Sequence, residues 1–270
     1  MKQRDRLAFI AEGLPLIAAS ADGLATSGAA SADERVRAII QRHAAEEAAK
    51  ALILIDMVRC PPKRVASRVG PLMHYFYDHM ARLLWADACH WHAANLAELQ
   101  DYLDHDRCSH YLDGPLGVDW IYPNEALYDR EASLYVDVES YEDGELRWSA
   151  PSANVAPTEG LMWCVRTVQT LKLFGAMTPR GLEIVSSVWN SVEFDHSDAR
   201  HNFHELIDKT IIELNGAGLI DDSATESDVA LLRLHWQMPM YNADLMPTKI
   251  TLEEIEARRA AALYREMGGS

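Results

Sequence analysis

The segment 31–60 most constrains what this chain can fold into. Its apolar side chains recur at alternating steps of three and four residues, the spacing of one face of an α-helix. Ser31 and Glu34 have the spacing of a capping box, which predicts a helix start there. Pro61 and Pro62 predict its end, because proline interrupts the helical hydrogen bonds. A helix of this length needs other helices to cover its apolar face, so the segment predicts a helical bundle.

Similar patterns predict further helices along the chain. A first helix is predicted over 3–21 and is followed by a small-residue loop, and a very long third helix starts near Gly70-Pro71 and reaches about residue 105. Later helices are predicted at 160–174, 179–194, 199–216 and 251–266, with a short segment around 228–236. Over 133–148, apolar and polar residues alternate about Asp143-Gly144, which predicts a β-hairpin with a two-residue turn.

These patterns together predict an all-α protein. We expect a bundle of antiparallel long helices over 1–195 with one small β-hairpin insertion, followed by a helical C-terminal extension over 196–270. The four cysteines are far apart and lack the paired spacing of zinc sites, which favours reduced thiols in a cytoplasm. No signal peptide or membrane span is expected, because Gly13, Pro15 and Asp22 interrupt the apolar part of the N-terminus.

The charge of the chain limits its partners. The formal net charge of -16 opposes broad coating of nucleic acid or of an anionic membrane, because phosphate contacts need a cationic surface. A small local basic site is compatible with this charge.

Polar residues interrupt the apolar stripes of the second and third helices. The apolar stripe of the second helix includes Glu47, which predicts that Glu47 lies in the core. Glu46 falls to the side of this stripe, four residues before Lys50, which predicts a surface ion pair between Glu46 and Lys50. The third stripe contains His79, so antiparallel packing would bring His43, Glu47 and His79 together. A buried carboxylate needs a hydrogen-bonded or charged partner. Either a structural pair or a catalytic pair explains the pattern.

A metal site is a third interpretation. Di-iron bundles use two Glu-x-x-His units with further carboxylates. The chain has one such unit from Glu193 to His196 and a poorer one from Asp87 to His90. His79 and His90 are three turns apart, roughly 16 Å at the usual helical rise, so they cannot share an ion. A ferritin-like metal protein therefore ranks third, and we predict no bound metal or cofactor.

Three segments in fixed order carry a family resemblance. They are HAAEEAAKALIL from residue 43, HYFYDHMARLL from residue 74 and YDREASLYVDVES from residue 128. In this order they resemble the abortive-infection V family of bacterial antiphage proteins, a branch of the HEPN superfamily of helical domains. The resemblance covers residues 1–190. It implies an all-α homodimer in a superfamily whose active members cut RNA without a metal.

The resemblance also implies a site. Active members use an arginine to neutralise the scissile phosphate and a histidine to move protons to and from the ribose hydroxyl and the leaving oxygen. Arg68 and His74 match the arginine–histidine spacing of the superfamily. We assign His79 as general acid/base, Arg82 or Arg68 as phosphate stabiliser, and Glu47 as the residue that orients the histidine.

Four further residues are predicted to support this site. Glu46, Lys50 and His43 lie on the second helix, and Asp78 lies on the third. Asp78 also stands four residues before Arg82, the spacing of a surface salt bridge. Two functions stay open at this point. One is an antiphage ribonuclease, and the other is a catalytically silent helical module that binds a phage or host protein, which the acidic surface favours.

Overall fold

The computed structural model describes residues 3–108, 110–113, 119–122, 124–140, 145–151, 158–194 and 198–248, with single positions between 251 and 260. Its helices are α1 Gln3–Ala30, α2 Glu34–Arg59, α3 Pro62–Tyr77, α4 His79–Ala88, α5 Leu96–Asp106, α6 Glu125–Leu134, α7 Glu159–Leu173, α8 Pro179–Trp189, α9 Arg200–Gly216 and α10 Glu226–His235. Its strands are β1 His110–Asp113, β2 Asp119–Tyr122, β3 Asp137–Ser140 and β4 Leu146–Ser149. The protein is predominantly helical, as predicted.

Helix α2 lies at the centre of the fold, in contact with α1, α3, α4, α6, α7 and α8. From Ala44 to Arg59, nearly every side chain is buried. The helix is capped by Asp33, whose carboxylate accepts a hydrogen bond from the Val36 amide at 3.0 Å. The predicted capping box with Ser31 is therefore wrong. Because helices surround α2, it has no broad polar face, and a one-stripe pattern cannot identify which of its residues are buried.

Helix α1 is longer than predicted and runs through the expected small-residue loop to Ala30. Its last turns pack against α2, where a Cβ added to Gly28 would lie 3.1 Å from Gln41 Cγ. Small side chains allow this close approach, so contact with α2 stabilises helix where the local sequence predicts a loop. Gly13 and Pro15 lie within this helix, as the predicted helix over 3–21 implies.

By length and composition alone, α1 is the one helix in the described part of the chain that is apolar enough to cross a membrane. About a third of its most apolar stretch is buried inside the fold, against α2, α7 and α8. A membrane span and a packed core helix share these properties. The cytoplasmic location therefore stays a prediction.

The prediction of a single long third helix is wrong, because the chain forms α3, α4 and α5 instead. Pro71 lies inside α3 and does not start a helix. The break falls at Asp78, whose backbone is extended and whose carboxylate accepts a hydrogen bond from the Ala81 amide at 2.8 Å. Asp78 thus ends α3 and caps α4, which satisfies an amide left without a helical partner. His79 becomes the first residue of α4.

Two small antiparallel hairpins accompany the helices. Strands β3 and β4 form the predicted hairpin, although residues 133–134 belong to α6 and the turn at 143–144 lies outside the described residues. A second hairpin, β1 with β2, forms where the sequence predicts a loop. The predicted helices near 160–174 and 199–216 correspond closely to α7 and α9, whereas α8 ends at Trp189.

Residues on both sides of position 195 contribute to one hydrophobic core. Helix α10 packs on α7 and α9, and the segment that follows it is held by the buried pair of Asp56 and Arg59. Arg59 Nη1 donates to the Gln237 carbonyl at 2.9 Å, and the Met240 amide donates to Asp56 Oδ2 at 2.6 Å. The predicted helix at 251–266 lies mostly outside the described residues.

Candidate functional site

Glu46 on α2 is the centre of a cluster that joins three helices. Its side chain is only 3% exposed. Its Oε2 lies 2.6 Å from Nδ1 of His79 and 3.1 Å from Nη2 of Arg82, both on α4. Its Oε1 accepts a hydrogen bond from Nε of Arg130 on α6 at 3.0 Å. We call Glu46, His79, Arg82 and Arg130 the Glu46 cluster. A buried carboxylate needs partners of this kind.

Nδ1 of His79 lies between a hydrogen-bond acceptor and a hydrogen-bond donor. Nδ1 faces Oε2 of Glu46 at 2.6 Å and Nη2 of Arg82 at 2.7 Å. The carboxylate only accepts hydrogen bonds and the guanidinium only donates them, so Glu46 favours a proton on Nδ1 and Arg82 favours a lone pair there. In the tautomer that pairs with Glu46, Nε2 carries the lone pair. Because the His79 side chain is 49% exposed, this ring can meet a ligand while its other side is held by a buried acid.

Arginines give the Glu46 cluster a local positive charge. Arg82 and Arg130 each contact Glu46, and both side chains are largely buried. Arg42 lies close by on α2, where it is buried and 3.7 Å from the carboxylate of Asp129. Burial lowers the pKa of Arg42, and the charge of Asp129 opposes that change. Arg130 uses only Nε in the contacts described, so its terminal nitrogens can bind a further anion.

Local sequence explains how the helices meet at this point. On either side of Glu46, the buried residues of α2 include Ala44, Ala45, Ala48 and Ala49. Alanine side chains end at Cβ, so neighbouring helices can approach α2 closely. The helix break at Asp78 then presents His79 from the first turn of α4. The packing brings the acid to the imidazole.

The predicted positions of the two α2 acids are reversed in the structure. Glu47 is partly exposed and forms the ion pair with Lys50, whereas Glu46 is buried. The prediction that Glu47 occupies the core beside His79 is therefore wrong. His43 lies at the margin of the cluster, with Nδ1 3.9 Å from Oε1 of Glu46 and a side chain that is 41% exposed.

Asp78 and Arg82 are in contact, but their side chains do not form the predicted surface salt bridge. The carboxylate of Asp78 caps α4, and Nε of Arg82 donates to the Asp78 backbone carbonyl at 3.1 Å. Arg82 is buried because its guanidinium extends to Glu46. The surface-pair interpretation is wrong because the helix break places this arginine between α2 and α4.

Arg68 and His74 lie on α3. Among the described contacts, neither residue bonds to Glu46, His79 or Arg82. His74 is exposed and meets the ring of Tyr75 edge-on at 6.1 Å between centroids. The chain thus brings together Glu46, His79 and Arg82 from the predicted set.

Sequence reasoning did not select Arg130 or Arg42. Arg130 stands in the YDREASL stretch that contributes to the family resemblance, which was the available signal. No spacing rule relates residue 130 to residue 46, because the two are brought together by the packing of α6.

The residues considered for a metal site do not converge in the described part of the chain, where no group of three potential ligands forms. Glu193 pairs with Lys63, and His196 lies outside the described residues. His90 Nδ1 is 3.9 Å from Asp87 Oδ1.

Comparisons with known proteins, by family model, by sequence and by structure, find no match. The likeness to the abortive-infection V family is thus a hypothesis based on the three segments.

Proposed function

We propose that this protein is an antiphage endoribonuclease of the HEPN type, with the Glu46 cluster as its active site. The observation that carries the proposal is a half-exposed imidazole whose Nδ1 is held by a buried carboxylate, with two arginines beside it. An oriented histidine moves protons, and guanidinium groups stabilise a phosphate as its charge develops. A small basic site of this kind is compatible with the acidic charge of the whole chain.

The chemistry assigns a role to each group. Nε2 of His79 accepts the proton of a ribose 2′-hydroxyl, and the 2′-oxygen attacks the adjacent phosphorus. The bond from phosphorus to the 5′-oxygen breaks, and the imidazolium returns its proton to that leaving oxygen. Arg130 and Arg82 stabilise the phosphate charge, and Glu46 stabilises the imidazolium. The products are a 2′,3′-cyclic phosphate and a 5′-hydroxyl.

The first test examines those products. Incubation of the purified protein with RNA in excess EDTA is expected to give fragments with 2′,3′-cyclic phosphate ends, because arginines supply the positive charge in this scheme. The end groups are identified by mass spectrometry of a short defined RNA. The same RNA with 2′-deoxyribose at the cleaved position is expected to stay intact. Cleavage of that substrate, or fragments with 5′-phosphates, would contradict the mechanism.

The second test compares the neighbouring acids of α2. Glu46→Gln is expected to lower kcat by about tenfold to a hundredfold or more, because the amide no longer holds the imidazole in one tautomer and no longer stabilises its positive form. It is also expected to move the acidic limb of the pH–rate profile to lower pH.

Glu47→Gln is the matched control and is expected to leave both kcat and the pH profile unchanged, since Glu47 pairs with Lys50 outside the cluster. Equal effects of the two substitutions, or a fall in kcat without a change in the pH profile of Glu46→Gln, would show that Glu46 does not position His79.

A second candidate function is a helical module that binds a phage or host protein. The observation that favours it is a set of exposed apolar side chains on and beside the β3–β4 hairpin, with Leu146 71% and Trp148 78% exposed. Tyr135 and Val136 extend this surface. Exposed apolar groups of this extent are typical of protein interaction sites. A folded protein without RNA cleavage in the first test would favour this function.

The proposal includes a homodimer in a cytoplasm. The dimer follows from the family resemblance, and the location follows from the widely spaced cysteines. Dimerisation would place two copies of the Glu46 cluster in one dimer.

A further inference from the structure

An apolar cavity lies between the first turns of α1, the end of α2 and the body of α3. Its volume is about 500 Å³, within the range of small-molecule sites. Phe9, Ile10, Leu54, Met57 and Val69 are among its lining residues. None of its lining residues belongs to the Glu46 cluster. It is thus a separate place at which a ligand can bind.

Arg6 places an unpaired cation in the wall of this cavity. The residue is 8% exposed, and its Nε and Nη2 are both buried without a hydrogen-bond partner. A buried, unpaired guanidinium is strongly unfavourable, since it loses hydration and gains nothing in return. Burial indeed lowers the pKa of Arg6. An anionic ligand would supply the missing partner.

The nearby protein groups do not supply that negative charge. Burial raises the pKa of the Cys60 thiol to about 11, with a further contribution from Asp56, so the thiol is neutral at physiological pH. Asp56 itself is held by Arg59 and the Met240 amide. The charge of Arg68 opposes this rise in the pKa of Cys60, and the Nε of Arg68 is buried without a hydrogen-bond partner. Arg6 is the one charged residue among the described lining residues, so the cavity wall is cationic.

We propose that this cavity binds a single-chain carboxylic acid, with its carboxylate on Arg6 and its alkyl chain along the apolar walls. A guanidinium pairs with a carboxylate through charge-assisted hydrogen bonds. The apolar lining matches a hydrocarbon chain and disfavours strongly hydrated anions such as inorganic phosphate or nucleotides. The ligand thus combines an acidic group with an alkyl chain.

The probe for the first experiment is dodecanoate below its critical micelle concentration, titrated calorimetrically into the full chain. We expect saturable binding of one molecule per chain and a rise in Tm. Dodecanol and dodecyltrimethylammonium keep the chain but lack the negative charge, so they are expected to bind at least about tenfold more weakly. Equal binding of dodecanol would overturn the proposed role of Arg6.

Two variants test the charge and the cavity separately, and a third serves as a control. Arg6→Met keeps the apolar length and removes the unpaired charge, so it is expected to fold with an equal or higher Tm and to bind dodecanoate at least about tenfold more weakly. Arg4→Met alters an exposed arginine of the same turn and is expected to bind like the wild type. Ala66→Trp places bulk at the lining and is expected to abolish binding. Wild-type affinity in Arg6→Met or in Ala66→Trp would refute the site.

An acidic lipid headgroup offers the same chemistry from a membrane. Phosphatidylglycerol vesicles are therefore tested in a flotation assay beside the dodecanoate titration. Binding of monomeric dodecanoate without retention by vesicles supports the proposal. Retention by vesicles with no binding of monomeric dodecanoate would overturn it in favour of a membrane surface.

Discussion

The His79→Ala variant is expected to cleave RNA about 10²–10⁴-fold more slowly than the wild type, the usual contribution of a positioned acid/base group. The side chain is half exposed and contacts Glu46 and Arg82 through a single ring nitrogen. Its removal takes away Nε2, the atom that exchanges protons with the RNA. Single-turnover cleavage of a fluorescent RNA, with enzyme in excess, measures the chemical step directly.

A matched variant is His201→Ala, which removes an exposed histidine at the start of α9 and is expected to cleave at the wild-type rate. Circular dichroism melting of both variants checks that folding is retained. Wild-type cleavage by folded His79→Ala would remove the Glu46 cluster from the reaction and leave only the family resemblance.

The Asp56→Ala variant is expected to lose about 3–5 kcal/mol of unfolding free energy, the usual cost of removing one partner of a buried ion pair. Asp56 is fully buried and accepts hydrogen bonds from Arg59 Nε at 2.6 Å and from the Met240 amide at 2.6 Å. Burial raises the pKa of Asp56, and Arg59 opposes that change. The guanidinium of Arg59 lies over the rings of Trp189 and Trp236, so it would be left charged in the core.

Urea denaturation followed by tryptophan fluorescence measures this loss. Glu183→Ala breaks the exposed pair with Arg180 on α8 and is expected to change the free energy of unfolding by at most about 1 kcal/mol. A midpoint for Asp56→Ala that equals that of Glu183→Ala would show that the buried pair does not hold the segment after α10 to α2.

Local sequence predicted much of the helical framework. The positions of α7 and α9 and of the β3–β4 hairpin agree with patterns that act over a few neighbouring residues. The failures have two causes. Contact between separate helices extends α1, because Gly28 packs on α2. A local cap breaks the predicted third helix, because the carboxylate of Asp78 accepts from the Ala81 amide and starts a new helix.

The candidate site was predicted in part. The sequence predicted His79, Arg82 and a carboxylate on α2. It indicated Glu47 and not Glu46, because a single apolar stripe does not describe a helix that is buried on most sides. Arg130 was not selected, since no periodicity connects it to α2.

By itself, the sequence determined that the chain is helical and that acids and histidines interrupt its apolar faces, because periodicity and composition are local properties. Only the tertiary structure decided which acid is buried, which side chains meet it and where a cation is left unpaired. Glu46 contacts α4 and α6, and Arg6 lines a cavity together with residues of α2 and α3. The strength of an electrostatic contact depends on burial and distance, and folding sets both.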